Sequence, residues 1–153
     1  MNQHQPIKPT RPLRRVEDFP HRTTEVIRFG DMDGNNHVNN AVFSTFFEAG
    51  RVTLFRDPGK KLMPNGLIWT LARITIDYRG EMHWPGTVES CIGLASLGRT
   101  SAVFEQAIFF EGRCAATAVN VLVDTDTRRP TPITDEIRTN YQKWMLKDAG
   151  ENA

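Results

Sequence analysis

The apolar and polar residues of this chain repeat first with a helical period and then with the period of strands. Residues 23–29 (TTEVIRF) are rich in β-branched and aromatic side chains and end at Gly30, which predicts a first strand. Residues 41–56 then carry apolar side chains at helical spacing on one broad stripe. That stripe consists of Phe43, Phe47, Gly50 and Leu54, with Val42, Phe46 and Ala49 beside it. So wide an apolar surface predicts a helix that other elements enclose.

Four later segments alternate apolar and polar residues as strands do. They are residues 67–78, 87–97, 100–111 and 114–124, with turn-forming pairs such as Gly98-Arg99 and Gly112-Arg113 between them. Because hairpin-length connections force antiparallel pairing, we expect a four-stranded meander. Downstream, Thr134 is placed to cap a final helix that runs to about Trp144, with acidic residues in its first turn.

The element order predicts an α+β fold in which an antiparallel sheet wraps around the long central helix. Only that helix is long and apolar enough to cover the inner face of the sheet. We expect the globular domain to span residues 21–147. Residues 1–20 hold four of the nine prolines and four basic residues, a composition typical of a solvated tail. Residues 148–153 are expected to form a short C-terminal tail.

Composition restricts the class of protein further. The 153 residues are 39% hydrophobic and carry a formal net charge of +1, which suits one globular domain and provides no chain-wide field for nucleic acid or an anionic membrane. No apolar run approaches the ~20 residues of a membrane span, and no apolar stretch follows the basic amino terminus. Cys91 and Cys114 form neither a CxxC pair nor a dense framework, so we expect a cytoplasmic protein with two reduced, buried thiols.

The densest group of polar residues lies between the first strand and the helix, in residues 30–40 (GDMDGNNHVNN). Asp31, Asp33 and Asn35 have the 1, 3, 5 spacing of a calcium loop, but Asn36 replaces the glycine of that motif and an apolar residue replaces its bidentate glutamate. A purely structural turn is a second interpretation, because Asp, Asn and Gly are favoured in turns and helix caps. The loop holds more such residues than one tight connection needs.

A catalytic interpretation uses the start of the helix. If Asn39 or Asn40 caps the helix, the first backbone N–H groups point into the loop, where the helix dipole favours developing negative charge. Asp33 lies a few residues upstream and is placed to act as general base or nucleophile toward a carbonyl polarised by these amides. A carboxylate beside an oxyanion site predicts acyl transfer or hydrolysis.

Residues 33–40, read as D-x-x-x-H-V-N-N between a strand and a long helix, resemble the corresponding loop of the hotdog-fold acyl-CoA thioesterases. The resemblance is greatest to the 4-hydroxybenzoyl-CoA thioesterase family and extends from Thr23 to Ile133. It includes residues 47–51 (FEAGR), 97–101 (LGRTS) and 124–130 (DTDTRRP). This resemblance implies a hotdog fold and the hydrolysis of a thioester to a carboxylic acid and free coenzyme A.

The resemblance also assigns roles to the loop. It implies that Asp33 is the catalytic carboxylate and that the backbone amide of Asn40 binds the thioester oxygen. His37 is expected to support the site, by orienting Asp33 or by bonding the loop backbone. The family has glycine immediately before this histidine, whereas this chain has Asn36, a residue type that tolerates left-handed backbone geometry.

Candidates for binding the coenzyme A portion lie in later turns. Arginine suits bidentate contact with phosphate, although solvated turn arginines are equally ordinary. The candidates of this type are Arg99, Arg128 and Arg129. Thr100 and Ser101 are placed to hydrogen-bond the pantetheine amides. Trp69, with Met63, is a candidate for the acyl pocket, and packing in the core is the simpler role for both.

Four further residues complete the set that was weighed. Glu48 is a reserve catalytic residue, because a related hotdog branch places its carboxylate on this helix, and an ion pair with Arg51 is its simpler role. Ser96 lies inside a strand pattern and not in a nucleophile elbow, so a serine hydrolase is not supported. His83 and Trp84 are interpreted as loop packing.

The expected activity is therefore the hydrolysis of acyl-CoA thioesters without a cofactor or metal, since coenzyme A is part of the substrate. The alternatives are a thioesterase that acts on acyl groups held by acyl carrier protein, and a non-catalytic acyl-CoA-binding protein. The resemblance implies a homodimer or homotetramer whose sites are built between subunits. Nucleophilic and general-base roles for Asp33 both stay open at this point.

Overall fold

The computed structural model describes residues 13–63, 68–126 and 129–147 of the chain. The strands and α-helices in these ranges are β1 (His21–Ile27), α1 (Asn40–Phe55), β2 (Trp69–Tyr78), β3 (Gly86–Leu97), β4 (Ser101–Phe110), β5 (Arg113–Asp126), β6 (Arg129–Pro130) and α2 (Asp135–Tyr141). Short 3-10 turns cover Val16–Asp18, Phe29–Asp31 and Gln142–Trp144. Every predicted strand and helix is present, and the two-residue strand β6 was not predicted.

The strands form an antiparallel sheet in the order β1-β3-β4-β5-β2, and β6 pairs with the end of β5. The predicted four-stranded meander is wrong for β2, because this strand pairs with β5 at the far edge and only β3, β4 and β5 follow one another as neighbours. The connection from β2 to β3, residues 79–85, must cross three strand spacings, about 14 Å. Seven residues reach that far when extended. The place beside β3 that a hairpin would give to β2 is taken by β1.

Helix α1 packs against one face of the sheet and divides the apolar core into two main clusters. Phe43 belongs to the cluster at the start of the helix, and Leu54 belongs to the cluster at its end. Helix α2 covers the second cluster with the buried residues Ile137 and Tyr141. Its start is capped as predicted, since Thr134 Oγ1 accepts a hydrogen bond from Ile137 N at 3.3 Å. The sheet thus wraps a central helix, which confirms the predicted α+β hotdog architecture.

A row of buried polar side chains on β3, β4 and β5 joins the sheet to α1. Ser90 Oγ and Gln106 Nε2 donate hydrogen bonds to main-chain carbonyls of α1 at 2.8 and 2.9 Å, and Asn120 Nδ2 donates to Gln106 Oε1 at 2.9 Å. Gly50 faces this row: a Cβ there would lie 2.7 Å from Ser90 Oγ. The missing side chain at Gly50 therefore lets the helix approach the sheet closely.

Residues before β1 also pack on the sheet. Phe19 is buried, its ring meets that of Phe109 edge to face at 6.4 Å, and Arg14 Nε lies 2.8 Å from Glu105 Oε2. These residues belong to the segment predicted as a tail, so packing begins before the predicted boundary at residue 21. Residues 1–12 and 148–153 of the predicted tails lie outside the described residues.

Two further predictions concern thiols and membrane spans. Cys91 is fully buried, as predicted, and burial raises the pKa of its thiol to about 12, so the thiol is protonated and unreactive near neutral pH. Cys114 is half-buried, and burial raises its thiol pKa as well. No helix in the described ranges is long and apolar enough to cross a membrane.

Candidate functional site

The loop between β1 and α1 closes on itself through main-chain hydrogen bonds. Asp33 N donates to His37 O at 2.8 Å and Asn36 N donates to Asp33 O at 3.0 Å, while Met32 and Val38 form an antiparallel bridge. Asn36 has a φ of 63°, which is the left-handed conformation expected where the related loops have glycine. The loop is therefore a tight turn that fixes the position of Asp33.

The two carboxylate oxygens of Asp33 have different surroundings. Oδ1 accepts a hydrogen bond from Asn35 N at 2.8 Å and lies 3.5 Å from His37 N. Within the described ranges, Oδ2 has no hydrogen-bond donor. One oxygen thus anchors the turn and the other is available to a substrate or a water molecule. The half-buried side chain lies at the surface of a cleft.

The start of α1 leaves one backbone donor unused. Asn39 is the cap residue, and its side chain accepts a hydrogen bond from Ala41 N at 2.9 Å. The Asn39 N–H donates to Asp31 O at 2.9 Å, which fixes the helix start against the loop. In the described part of the chain, the N–H of Asn40 donates to no acceptor. This N–H lies at the positive end of the 16-residue helix, where negative charge is stabilised.

Asp33 and Asn40 meet at a cleft of about 380 Å³. His37, Phe43, Tyr78 and Glu81 are among its other lining residues. The Tyr78 hydroxyl donates to the carbonyl of Asn40 at 3.2 Å, so the end of β2 lies beside the start of α1. The sequence pattern identified Tyr78 only as a strand residue. Its part in the site depends on the position of β2 in the sheet, which the pattern did not predict.

Among the described residues, the His37 ring makes no hydrogen bond to the Asp33 carboxylate or to the loop backbone, the two contacts expected of it. Its Nε2 lies 3.3 Å from Glu81 Oε2, and His37 contacts Asp33 through main-chain atoms. His83 lies beside both, with ring centroids 5.2 Å apart from His37 and with Nδ1 3.0 Å from Asn36 O. From the sequence, His83 was predicted to take part only in loop packing. The structure places it at the edge of the cleft, in a cluster with two other groups able to bind a metal ion.

Glu48, the reserve catalytic residue, is exposed on α1 and does not line the cleft. The predicted ion pair with Arg51 is absent, since within the described residues no oxygen of Glu48 lies within 4.0 Å of that guanidinium. Arg51 instead turns inward and donates to Gln106 Oε1 at 3.0 Å and to Asn120 Oδ1 at 3.1 Å. Burial lowers the pKa of Arg51, and the charge of Glu48 opposes this in part. The buried amide oxygens therefore compete successfully with the surface carboxylate for this arginine.

The predicted coenzyme A ligands lie at the opposite end of the sheet from Asp33. Ser101 pairs with residue 123 and Trp69 with residue 124, whereas Tyr78, beside the cleft, pairs with Ala116. The length of β2 between Trp69 and Tyr78 is about 30 Å. The residues at the far end are Trp69, Arg99, Thr100, Ser101 and Arg129. Arg128 lies outside the described residues. A single chain thus does not bring this set to the cleft.

Trp69 takes part in packing between β2 and α2. Its indole Nε1 donates to Tyr141 Oη at 2.6 Å, and the Tyr141 hydroxyl donates to Leu62 O at 2.6 Å. Met63 packs against the same core cluster. Arg99 is exposed, and its carbonyl accepts a hydrogen bond from Ile133 N at 2.8 Å. The surroundings of Trp69 and Met63 are those of core residues within one chain.

Comparisons with known proteins place these features in a family. The sequence pattern of the thioesterase-like superfamily matches residues 27–141 of this chain. A thioesterase from Thermus thermophilus, solved in complex with coenzyme A and Zn, is 30% identical with a TM-score of 0.75; the match covers 82% of this chain and 94% of that chain. A predicted thioesterase from Bacillus stearothermophilus is 29% identical with a TM-score of 0.73, over 82% of this chain and 96% of that chain. A search among curated proteins finds no match. This chain therefore belongs to the thioesterase-like superfamily and is a thioester hydrolase with the hotdog fold.

Proposed function

We propose that this protein hydrolyses acyl-CoA thioesters, with Asp33 as the catalytic carboxylate and the Asn40 backbone N–H as the oxyanion donor. The observation that supports this most strongly is that a carboxylate oxygen and a helix N–H, both without a partner among the described residues, line one cleft. The Thermus thermophilus relative is complexed with coenzyme A, which supports coenzyme A as the acyl carrier here. Membership of the narrower 4-hydroxybenzoyl-CoA thioesterase family rests on the loop motif and is part of the proposal.

In the proposed reaction, the thioester carbonyl oxygen accepts a hydrogen bond from Asn40 N–H at the positive end of α1. Asp33 Oδ2 either attacks the carbonyl carbon directly or removes a proton from an attacking water molecule. After direct attack, the carbon–sulfur bond breaks to leave an anhydride between the acyl group and Asp33, which water hydrolyses to the carboxylic acid and free Asp33. On the general-base route, the hydroxyl group of the water molecule bonds to the carbonyl carbon as the carbon–sulfur bond breaks. On both routes the departing thiolate of coenzyme A takes up the proton released by the water molecule. The carboxylate and the amide provide both elements of this chemistry, so the proposal requires neither metal nor cofactor.

His37 has a positioning role in this proposal. Its carbonyl accepts a hydrogen bond from Asp33 N, and its N–H lies 3.5 Å from Asp33 Oδ1. These contacts hold the turn closed, and neither of them occupies Asp33 Oδ2. Glu48 is exposed outside the cleft, so the proposal assigns it no chemical step.

We further propose that the protein is a homodimer or homotetramer in which two chains pair through β2. This strand lies at the edge of the sheet, with β5 on one side and no described strand on the other. Leu71 and Tyr78 on β2 are 40% and 48% exposed, which leaves apolar surface at that edge. An antiparallel pair of β2 strands about a two-fold axis would extend the sheet across both chains through main-chain hydrogen bonds.

Such pairing would bring the two ends of the sheet together. In an antiparallel β2 pair, the Trp69 end of one chain lies beside the Tyr78 end of the other. Arg99, Thr100 and Ser101 of one chain would then approach the Asp33 cleft of its partner. The predicted coenzyme A ligands therefore fit a site shared between two chains, although they are remote from Asp33 within one chain.

The test is the release of free thiol from a panel of short, medium-length and aromatic acyl-CoAs, with the same acyl groups on acyl carrier protein as a parallel series. We expect release from at least one acyl-CoA, and the preferred acyl group identifies the substrate class. Hydrolysis of the carrier-protein series alone would favour the first alternative. Binding of acyl-CoA in a calorimeter without any release would favour the non-catalytic alternative, and either result would overturn the proposed activity.

A further inference from the structure

We infer that His37, Glu81 and His83 form a binding site for a divalent transition metal ion of the zinc class at the edge of the cleft. Glu81 Oε2 lies 3.3 Å from His37 Nε2 and 3.7 Å from His83 Nε2, and the three ligand atoms all lie within 4.8 Å of one another. A tetrahedral zinc ion with bonds of about 2.0–2.2 Å holds its ligand atoms roughly 3.3–3.5 Å apart. Small rotations of these three side chains close the remaining gap.

A hydrogen bond fixes the tautomer of His83 in the form that binds metal. Nδ1 of His83 lies 3.0 Å from the carbonyl oxygen of Asn36, and a carbonyl only accepts. Nδ1 therefore carries the proton, and in the neutral ring Nε2 has a free lone pair. That lone pair is turned toward Glu81 Oε2, which is also an acceptor. A carbonyl bonded to the distal ring nitrogen is the usual arrangement behind a metal-binding histidine.

The main chain holds the two ligand-bearing segments together. Val38 N donates to Met82 O at 2.9 Å, which joins the residue after His37 to the residue between Glu81 and His83. Val38 and Met82 are 3% and 0% exposed, so both segments are anchored in the core while their neighbours stay at the surface. The ligands thus converge because the fold positions them, which reduces the ordering that an ion would otherwise have to impose.

The charge at the cluster also favours a cation. Among the described residues, the Glu81 carboxylate lies within 4.0 Å of these two histidine nitrogens and of no lysine or arginine nitrogen, so no fixed positive charge neutralises it. Two imidazoles and one carboxylate suit zinc, cobalt, nickel or copper, whereas magnesium and calcium prefer oxygen ligands alone. Three protein ligands leave a fourth position for water or an anion. This site shares His37 and Glu81 with the lining of the cleft, and the chemistry proposed for Asp33 and Asn40 does not require the ion.

The experiment titrates metal-stripped, untagged full-length protein with cobalt(II), followed by its visible absorption, and with zinc(II) in a calorimeter. Magnesium(II) serves as the ion that should not bind. The test variants are Glu81→Gln and His83→Gln, in which an amide of similar size replaces each ligand. Glu111→Gln and His21→Gln are the matched controls, because each makes the same change outside the cluster. Unfolding curves confirm that all four variants fold.

The inference predicts one ion per chain, an intense cobalt spectrum of tetrahedral type, and binding at least about tenfold weaker in each test variant. Both control variants should bind like the native protein. Failure to bind zinc or cobalt would contradict the inference. Affinity that is unchanged in Glu81→Gln and His83→Gln, or that is lost in His21→Gln, would also contradict it by placing the ion elsewhere. Because the readout is binding, the result does not depend on the proposed activity.

Discussion

At the scale of single residues, Gly50 shows how one missing side chain sets the distance between helix and sheet. Alanine is the better helix former by about 1 kcal/mol, so helix propensity alone predicts that Gly50→Ala stabilises the protein. Its Cβ would lie 2.7 Å from Ser90 Oγ and 3.0 Å from Gln106 Nε2, both on fully buried side chains. We expect the clash to dominate and the unfolding free energy to fall by about 1–3 kcal/mol in a urea titration.

The control for this prediction is the double variant Gly50→Ala with Ser90→Ala. Removing the hydroxyl leaves Ser90 Cβ 3.6 Å from the new methyl group, which is ordinary contact, while Gln106 Nε2 stays 3.0 Å away. The double variant should recover part of the lost stability relative to Ser90→Ala alone. A single Gly50→Ala variant as stable as the native protein would show that the helix is free to shift.

The residue types of the loop predicted much of the candidate site. Asn36 was expected to adopt the left-handed conformation, and its φ of 63° confirms this. Asp33 and Asn40 were expected to face one another across the helix start, and both line the cleft. Glu81 and His83 were missed as site residues because their position depends on how residues 79–85 cross the sheet. The available signal in the sequence was Glu81-Met82-His83, in which an apolar residue separates two side chains able to bind metal.

At the scale of elements, the contact between β1 and α1 contains a histidine that stays neutral in the folded protein. His21 Nε2 lies 3.0 Å from Thr53 Oγ1. Burial lowers the pKa of His21 to about 4, the positive charge of Lys60 contributes to this shift, and Asp57 opposes it. The unfolded chain binds a proton at this ring near pH 6.5, above the pH at which the folded chain does.

The contribution of His21 to stability is therefore complete above pH 6.5 and is lost as the pH falls from about 6.5 to about 4. Because the ring is only partly buried, we expect a loss of about 1 kcal/mol in this window after allowance for solvent screening. The measurement is the unfolding free energy at several pH values for the native protein and for His21→Gln. The variant should show a shallower decline, and parallel curves for the two proteins would contradict the assignment.

The period of the apolar residues predicted the elements well but not the order of the strands. The ends of the strands and of α1 lie within two residues of their predicted positions, because helical and strand periods differ clearly. The predicted pairing of β2 with β3 was wrong, because a connection of the length of residues 79–85 permits either a hairpin or a crossing of the sheet. The inward turn of Arg51 was equally unpredictable, since it depends on Gln106 and Asn120, which lie 55 and 69 residues away in sequence.

At the scale of the whole molecule, the proposed shared site requires that another chain covers the β2 edge of the sheet. If two chains pair through β2, a lysine on that strand places a charge in the apolar edge that the partner chain would cover. We therefore expect Leu71→Lys to reduce the mass measured by light scattering to that of a monomer at micromolar concentration. Thioesterase activity should fall with it, because the coenzyme A ligands of the partner are then absent.

The matched control is Val26→Lys on β1, at the opposite edge of the sheet, where the native side chain is 64% exposed. This variant should keep the mass of the native oligomer. A Leu71→Lys protein that keeps both its mass and its activity would contradict pairing through β2. A monomer that keeps full activity would contradict the shared site while leaving the pairing intact.

The central claim is that Asp33 carries the chemistry, and the most direct measurement is kcat/KM for thioester hydrolysis by Asp33→Asn. The control is Asp31→Asn, which makes the same charge change two residues away in a carboxylate that accepts a hydrogen bond from Arg28 N at 2.7 Å. Unfolding free energies of the two variants should be compared first. The account predicts a loss of roughly 10²–10⁴-fold in kcat/KM for Asp33→Asn and a small change for Asp31→Asn. Native kcat/KM in a folded Asp33→Asn protein would contradict the account and direct attention to Glu48.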